Sequence, residues 1–234
     1  MRVRSVLVSG LVGLSALVLS TAPATASEPA ADGRAGVAAD GPTAKELLAK
    51  VTNCKQISQG KYARDAGGSS TVPVCGAKGA VFWKADMDID CDGQVTKECN
   101  KKTDPAFQPE TACEQSNGKP LIASKLPYIV VPNVSSRWDY KKSKIGCGTV
   151  GAVIYKDKVV YGVVGDVGPK EIIGEASYAM AKKLGIDPDP STGGVDSGVT
   201  YILFNEGGKA KPIENPGVAD SLGRELARKF VAAN

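Results

Sequence analysis

The sequence predicts a mainly β domain of the β-rich α+β type, stapled by disulfides and carrying a few peripheral helices. Between residues 54 and 205 most segments are short, β-branched and bounded by Gly or Pro, which supply 27 and 14 of the 234 residues. Six cysteines occur in a chain that begins like an exported protein. Helical signals are confined to three stretches, so strands form most of the predicted structure.

The amino terminus has the form of a secretory signal peptide. Arg2 and Arg4 precede an apolar run over residues 6–19, and Ala-Thr-Ala at 24–26 matches the small-x-small pattern that signal peptidase cuts. We therefore expect cleavage after Ala26 and a secreted, extracellular product. No other stretch reaches the roughly 18 continuous apolar residues that a membrane span needs, so we expect no membrane association.

The rest of the chain divides into a leader and one domain. Residues 27–42 are Ala, Gly, Pro and acidic residues without an aromatic side chain, a composition that predicts a flexible leader. Residues 43–234 are predicted to form a single catalytic domain, and we expect a monomer. The formal charge falls from +4 to about +2 when Arg2 and Arg4 are removed, which is too balanced to indicate nucleic-acid binding.

The absence of histidine excludes several chemistries. A Ser-His-Asp or Cys-His nucleophile pair of the usual kind cannot form, nor can a zinc site that uses His. Acid–base chemistry must therefore use carboxylates, Lys, Tyr or Cys. An even set of cysteines without a CxxC pair favours up to three disulfides, and the short loop from Cys91 to Cys99 indicates one local bridge. The set is Cys54, Cys75, Cys91, Cys99, Cys113 and Cys147.

Local signals place the individual elements. A capping box that starts at Thr43 predicts a short helix to about residue 52, and a second helix is predicted from about 174 to 184, where Gly185 stops it. An amphipathic helix is predicted over 218–232. Strands are predicted over 80–89, 128–131, 149–155, 159–164 and 199–204, and the third and fourth are joined by a hairpin loop.

The first informative segment spans residues 82–93. In a strand, the period of two places Lys84, Asp86, Asp88 and Asp90 on one face and apolar residues on the other. Carboxylates on alternate residues repel one another, and a fold tolerates them most readily where a cation, a metal or a polycation offsets their charge. The alternative is a solvated edge strand that discourages aggregation.

The same segment contains half of a calcium loop. Asp88, Asp90 and Asp92, followed by Gly93, match its first half, but the twelfth position is Cys99 instead of the bidentate Glu. Calcium binding therefore stays an alternative, and we predict that no metal or other cofactor is required.

Two carboxylates in the segment 159–177 are the candidate catalytic residues. Asp166 is predicted to end an apolar strand in a Gly-flanked turn, and Glu175 to open the following helix among apolar residues. Such surroundings can separate two carboxyls into the acid and base roles that glycosidic bond cleavage needs. The alternative is that Glu175 only complements a helix N-terminus and Asp166 only forms a turn. The two roles stay unassigned, because the helix dipole and burial act on Glu175 in opposite directions.

Four segments together resemble the secreted chitosanases of glycoside hydrolase family 75. The resemblance implies a six-stranded β-barrel related to the double-psi barrel of family 45 cellulases. It also implies an endo-acting, inverting hydrolase of β-1,4 bonds in chitosan, with a catalytic Asp and Glu that map onto Asp166 and Glu175. The four segments are 85–93 (ADMDIDCDG), 126–132 (LPYIVVP), 165–177 (GDVGPKEIIGEAS) and 198–204 (GVTYILF).

The expected substrate agrees with the charge pattern. Chitosan carries glucosammonium groups, which Asp86, Asp88 and Asp90 would hold by charge-assisted hydrogen bonds. Trp138 is a candidate platform for a sugar face, although an aromatic residue of this kind can equally be core. Two other hypotheses remain: a noncatalytic, expansin-like polysaccharide-binding module, and a related barrel enzyme that acts on peptidoglycan.

Overall fold

The structure is a computed structural model, and it describes residues 41–234. The predicted signal peptide and residues 27–40 of the predicted leader lie outside the described residues. A search of residues 41–234 finds no helix with the length and hydropathy of a membrane span.

The described chain contains three helices and eight strands. The helices are α1 Ala44–Ala49, α2 Tyr178–Leu184 and α3 Pro216–Ala233. The strands are β1 Lys55–Gln56, β2 Cys75–Ala77, β3 Ala80–Asp90, β4 Tyr128–Pro132, β5 Val150–Tyr155, β6 Lys158–Gly168, β7 Glu175–Ser177 and β8 Val195–Phe204. The predicted capping box is confirmed, since Thr43 and Glu46 exchange side-chain hydrogen bonds with each other's backbone N–H at the start of α1.

Six of the strands close into a barrel. Hydrogen-bonded neighbours follow the order β3-β7-β4-β6-β5-β8, and β8 pairs back with β3. The pairs β3–β7 and β4–β6 are parallel and the other barrel pairs are antiparallel. β1 and β2 extend the sheet beside the first residues of β3. The predicted mainly β, six-stranded barrel with a few helices is confirmed.

Two hydrophobic clusters lie on the two sides of the barrel wall. One receives side chains from all six barrel strands and therefore fills the interior, where Trp83 and Tyr201 stack with ring centroids 5.2 Å apart. The other lies between the wall and the outer helices, and Phe204 contacts Phe230 of α3 there. The predicted alternation in β3 is confirmed. Its interior residues are Val81, Trp83, Ala85 and Met87, with Ile89 packed against them.

Three disulfides connect segments outside the barrel strands. They join Cys54 to Cys75, Cys91 to Cys99, and Cys113 to Cys147. The predicted set of three and the predicted local bridge after β3 are both confirmed. Since two of the bridges end in the long stretch between β3 and β4, they fix a segment with little regular structure of its own.

Two sequence predictions near the candidate catalytic residues are wrong. Glu175 does not open a helix, because Glu175–Ser177 pairs with β3 as strand β7 and Ser177 is the N-cap of α2, accepting a hydrogen bond from the Met180 N–H. Asp166 does not end a strand in a turn, because β6 continues to Gly168 alongside β4. Backbone pairing with a distant strand overrides the local Gly and helix signals in both cases.

The bridge between Cys113 and Cys147 should stabilise the fold most by closing a long loop. Its cysteines are 34 residues apart, so a Cys113→Ser/Cys147→Ser variant should lose about 2–4 kcal/mol of unfolding free energy, measured by equilibrium urea denaturation. The matched Cys91→Ser/Cys99→Ser variant opens a loop of only 8 residues and should lose less. An equal or larger loss from the short bridge would contradict this account.

Candidate active site

Carboxyl groups gather on the outer face of the barrel, where β3, β7, β4 and β6 are neighbours. The parallel register pairs Asp88 with Glu175 and Asp90 with Ser177. The alternate residues Ile89 and Ala176 pack in the interior cluster. Because side chains alternate along a strand, Asp88, Asp90 and Glu175 therefore share the outer face.

A β-bulge brings Asp166 to the same face. Ile129 pairs with Val164 and the next residue, Val130, pairs with Asp166, so Gly165 is an extra residue in β6. Val164 packs in the barrel interior, and strict alternation would turn Asp166 inward as well. The extra residue instead places Asp166 beside Val130, whose side chain belongs to the outer cluster.

The Glu175 carboxylate lies against β6. A Cβ atom at Gly168 would come within 3.0 Å of Glu175 Oε2, so glycine at this position leaves room for the carboxylate. Burial raises the pKa of Glu175 to about 8, with further increases from the nearby charges of Asp88, Asp92, Asp166 and Asp104. Glu175 therefore holds a proton at neutral pH.

Asp166 has a different environment. Its Oδ1 accepts hydrogen bonds from the backbone N–H groups of Ala112 and Val167, each at 2.7 Å, and the residue is 7% exposed. Burial raises the pKa of Asp166, while both hydrogen bonds favour the charged form and lower it. The two candidate catalytic carboxyls therefore differ, and Asp166 is the better placed to stay ionised.

Asp90 and Asp92 complete what we call the carboxyl cluster: Asp90, Asp92, Asp166 and Glu175. Carboxylate oxygens of Asp90, Asp92 and Asp166 lie within 4.8 Å of one another. Burial, reinforced by the charges of Glu175 and Asp166, raises the pKa of Asp90. Burial raises the pKa of Asp92 to about 6. Ion pairs in the described chain lie within α3, so no basic side chain of residues 41–234 is paired with the cluster.

Sequence reasoning missed Asp92 and Asp104 as parts of this site. The sequence indicates Asp92 only as part of a calcium loop. The signal for its place in the site is that it continues the alternating acidic positions of β3 beyond Asp90. Asp104 carries no local signal. It is 7% exposed, and its charge reaches Asp92 and Glu175 because the disulfide-bonded loop after β3 folds back over the barrel face.

The three predicted binding aspartates do not form an open row. Asp88 is exposed, whereas Asp86 and Asp90 are 3% and 5% exposed. Asp86 Oδ1 is buried without a hydrogen-bond partner, and burial raises the pKa of Asp86 to about 7. The edge-strand alternative is wrong, because β3 is paired along both sides, with β2 and β7 on one and β8 on the other.

Trp138 is a core residue. It is 5% exposed, its Nε1 donates to Ser143 Oγ at 3.0 Å, and its ring meets Trp83 edge-on at 6.3 Å. No ring face is open to a sugar in this arrangement, so the structure favours the core interpretation of Trp138 over the platform.

Two groups of carboxylates have a spacing that could hold a cation. In the group formed by Asp90, Asp92 and Asp166, a backbone N–H already donates a hydrogen bond to one carboxylate oxygen of each residue. Calcium takes six to eight oxygen ligands, and Cys99, at the twelfth loop position, is bonded to Cys91. The arrangement therefore does not favour the calcium alternative. The groups are Asp65, Asp86 and Asp88, and Asp90, Asp92 and Asp166.

Gly174 fixes the approach of the chain to Glu175. Its φ is +129°, a Cβ there would lie 2.0 Å from Asp86 Oδ1, and its carbonyl accepts the Asp88 N–H at 2.8 Å.

A Gly174→Ala variant should lose about 2–4 kcal/mol of unfolding free energy, because the cost of backbone strain and the cost of a buried clash add. The control Gly208→Ala has φ +82° and no atom within 4 Å, so it should lose about 1–2 kcal/mol, and equal losses in urea denaturation would refute the clash.

The buried carboxyls also predict how stability depends on pH. In the folded state the pKa values of Asp86, Asp92 and Glu175 are about 7, 6 and 8, above their usual values of 3.8, 3.8 and 4.5. Between these usual pKa values and the raised ones, the folded state binds more protons than the unfolded state. The unfolding free energy therefore decreases as pH rises through the folded-state pKa values.

We expect the unfolding free energy to be higher near pH 5 than near pH 8.5 by about 2 kcal/mol or more, as measured by urea denaturation at both pH values. In Glu175→Gln the difference should shrink, because one of the titrating groups is gone. A wild-type stability that increases across this window would contradict the assigned environments.

Comparison with known proteins gives the family. Residues 87–229 match the family described as fungal chitosanase of glycosyl hydrolase group 75. Endo-chitosanase C of Aspergillus oryzae is 37% identical over 133 residues, which cover 55% of this chain and 32% of that protein. Endo-chitosanase B of the same fungus is 35% identical over 136 residues (55% and 56%), and an endo-chitosanase of Aspergillus fumigatus is 31% identical over 139 residues (54% and 58%).

The matched segments span between about a third and three fifths of the lengths of these relatives. The family match begins in β3 at Met87 and contains the whole carboxyl cluster. Since it covers more than half of the sequence, the chain belongs to the glycosyl hydrolase group 75 family.

Proposed function

We propose that this chain is a secreted endo-chitosanase that hydrolyses β-1,4 bonds between glucosamine residues by an inverting Asp/Glu mechanism. The observation that carries the proposal is the pair Asp166 and Glu175, two carboxyls that share one outer face but have different environments. Membership of a family described by chitosanase activity supports the substrate. The signal-like residues 1–26 support secretion, and residues 43–234 act as one catalytic domain in this proposal.

The two environments support one assignment of the catalytic roles. Glu175 is protonated at neutral pH and therefore acts as the general acid, giving its proton to the glycosidic oxygen as the C–O bond breaks. Asp166, held ionised by two backbone N–H groups, acts as the general base that takes a proton from water. That water attacks the anomeric carbon from the opposite face, so the new reducing end has the inverted configuration.

Negative charge next to the catalytic pair suits a polycationic substrate. Asp88 is exposed and is the register partner of Glu175, so it is the predicted binding residue best placed to contact a glucosammonium group. Asp86 and Asp90 are buried, and we assign them an effect through charge rather than through direct contact. Neutral chitin would gain less from this surface than chitosan does.

The test compares wild-type protein, residues 27–234, with Asp166→Asn and Glu175→Gln on highly deacetylated chitosan, following viscosity and new reducing ends. Each variant should lose about 10²- to 10⁴-fold in kcat while keeping its circular dichroism spectrum. The control Glu171→Gln removes a carboxylate from an exposed position on the same β6–β7 connection and should stay active. Proton NMR of the first products should show α-anomeric reducing ends.

Two results would overturn the proposal. Saturable chitosan binding by folded wild-type protein without any new reducing ends would indicate a noncatalytic, expansin-like module. Release from purified peptidoglycan but not from chitosan would indicate the related cell-wall enzyme.

A further inference from the structure

Residues 108–113, which end at the disulfide-bonded Cys113, are hydrogen-bonded to the residues that follow β3. Both backbone groups of Gln108 are engaged there: its N–H donates to Asp92 Oδ1 at 2.6 Å, and its carbonyl accepts the Gly93 N–H at 2.9 Å. We call residues 108–113 the clamp segment. Its attachment at Gln108 therefore uses one side chain, that of Asp92, and one backbone N–H, that of Gly93.

The other end of the clamp segment holds the proposed base. Ala112 donates its N–H to Asp166 Oδ1 at 2.7 Å, and the Cys113 N–H donates to the Gly165 carbonyl at 3.2 Å. Cys113 is also bonded to Cys147. The clamp segment thus connects Asp92 to Asp166 by one hydrogen bond at each end and four peptide units of covalent backbone between them.

Asp92 also acts on the pair through space. Its carboxylate oxygens lie within 4.8 Å of those of Asp90 and Asp166, and its negative charge is among those that raise the pKa of Glu175. Unlike Asp90, Asp92 is only half-buried, so it can carry that charge at lower cost.

We propose that Asp92 is a positioning residue for the catalytic pair: its carboxylate clamps the segment that orients Asp166, and its negative charge acts on both members of the pair. The inference rests on the proposed function, because it assigns a role within that same site.

Several other groups face Glu175 and act on its proton together with Asp92. Tyr128 and Tyr201 interact with carboxyls of the site and stay neutral, because burial raises their pKa values. The carboxyls that act on Glu175 through their charge are Asp88 and Asp90 from β3, Asp166 from β6 and Asp104 from the loop after β3; Tyr201 interacts with Glu175 from the barrel interior, and Tyr128 of β4 interacts with Asp90, Asp92 and Asp166. Among the carboxylates in this set none shares the bond to Gln108, so the two effects of Asp92 can be separated by mutation.

The variants Asp92→Asn and Asp92→Ala distinguish the hydrogen bond that Asp92 accepts from Gln108 from the effect of its negative charge. Asparagine keeps an oxygen that can accept the Gln108 N–H but removes the charge, whereas alanine removes both. The control is Glu110→Gln, which removes an exposed carboxylate from the clamp segment itself.

The direct readout is the titration of Glu175, followed by carbon NMR of labelled glutamate carboxyls and assigned with Glu175→Gln. In Asp92→Asn the pKa of Glu175 should fall by about one unit, and the alkaline limb of the kcat profile on chitosan should move to lower pH by the same amount. KM should stay within about twofold. Glu110→Gln should leave the titration and the profile unchanged.

Asp92→Ala should show the same titration shift and, in addition, a kcat at its own pH optimum roughly tenfold lower than that of Asp92→Asn, because Asp166 is less well oriented. Amide hydrogen exchange at Gln108 and Ala112 should be faster in Asp92→Ala than in Asp92→Asn. A Glu175 titration in Asp92→Asn that superimposes on the wild-type curve would overturn the charge role. Equal exchange and equal kcat in the two variants would overturn the clamp.

The titration and the exchange do not depend on turnover. If both behave as expected while wild-type protein releases no reducing ends from chitosan, the proposed function fails and the positioning role of Asp92 stands.

Discussion

The carboxyl cluster is the constraint on which the rest of the structure depends, because it lies largely out of water and no basic side chain of residues 41–234 is paired with it. Two full charges 4.8 Å apart repel by about 3–4 kcal/mol at an effective dielectric constant near 20. The cluster can therefore exist only if some carboxyls keep their protons and others are compensated by backbone N–H groups. That unequal division of charge is what general acid–base chemistry requires.

The barrel and its loops act on the cluster in separate ways. The barrel positions the carboxyls that keep their protons, and the loops supply backbone N–H groups to carboxyls that stay charged. Closure of the barrel by β3 and β8 holds the carboxyl-bearing strands in a fixed register. The long connection between β3 and β4 supplies most of the backbone donors, and disulfides restrain it at its start and again at Cys113. Stability and charge distribution are thus properties of the same few contacts.

Local sequence patterns predicted much of this fold but only part of the site. The alternation in β3, the capping box at Thr43 and the local bridge after Cys91 are properties of neighbouring residues, so they could be predicted from the sequence. The strand Glu175–Ser177 could not, because its extended form depends on pairing with residues 88–90, far away in sequence. The surroundings of Asp166 and Glu175 and the family resemblance together indicated the candidate catalytic pair, whereas the contributions of Asp92 and Asp104 depend on loop folding that no local pattern encodes.

The bulge at Gly165 makes the connections that lead to the two proposed catalytic carboxyls unequal in their tolerance of insertions. Inserting one residue between Val164 and Asp166, with the bulge still holding a single extra residue, would place the inserted residue on the outer face and turn the Asp166 carboxylate into the apolar interior. The connection from β6 to β7 is not constrained in this way, since Glu175 takes its orientation from β3 rather than from the residues that precede it. Insertions among homologues should therefore accumulate after Gly168 and be absent between Val164 and Asp166.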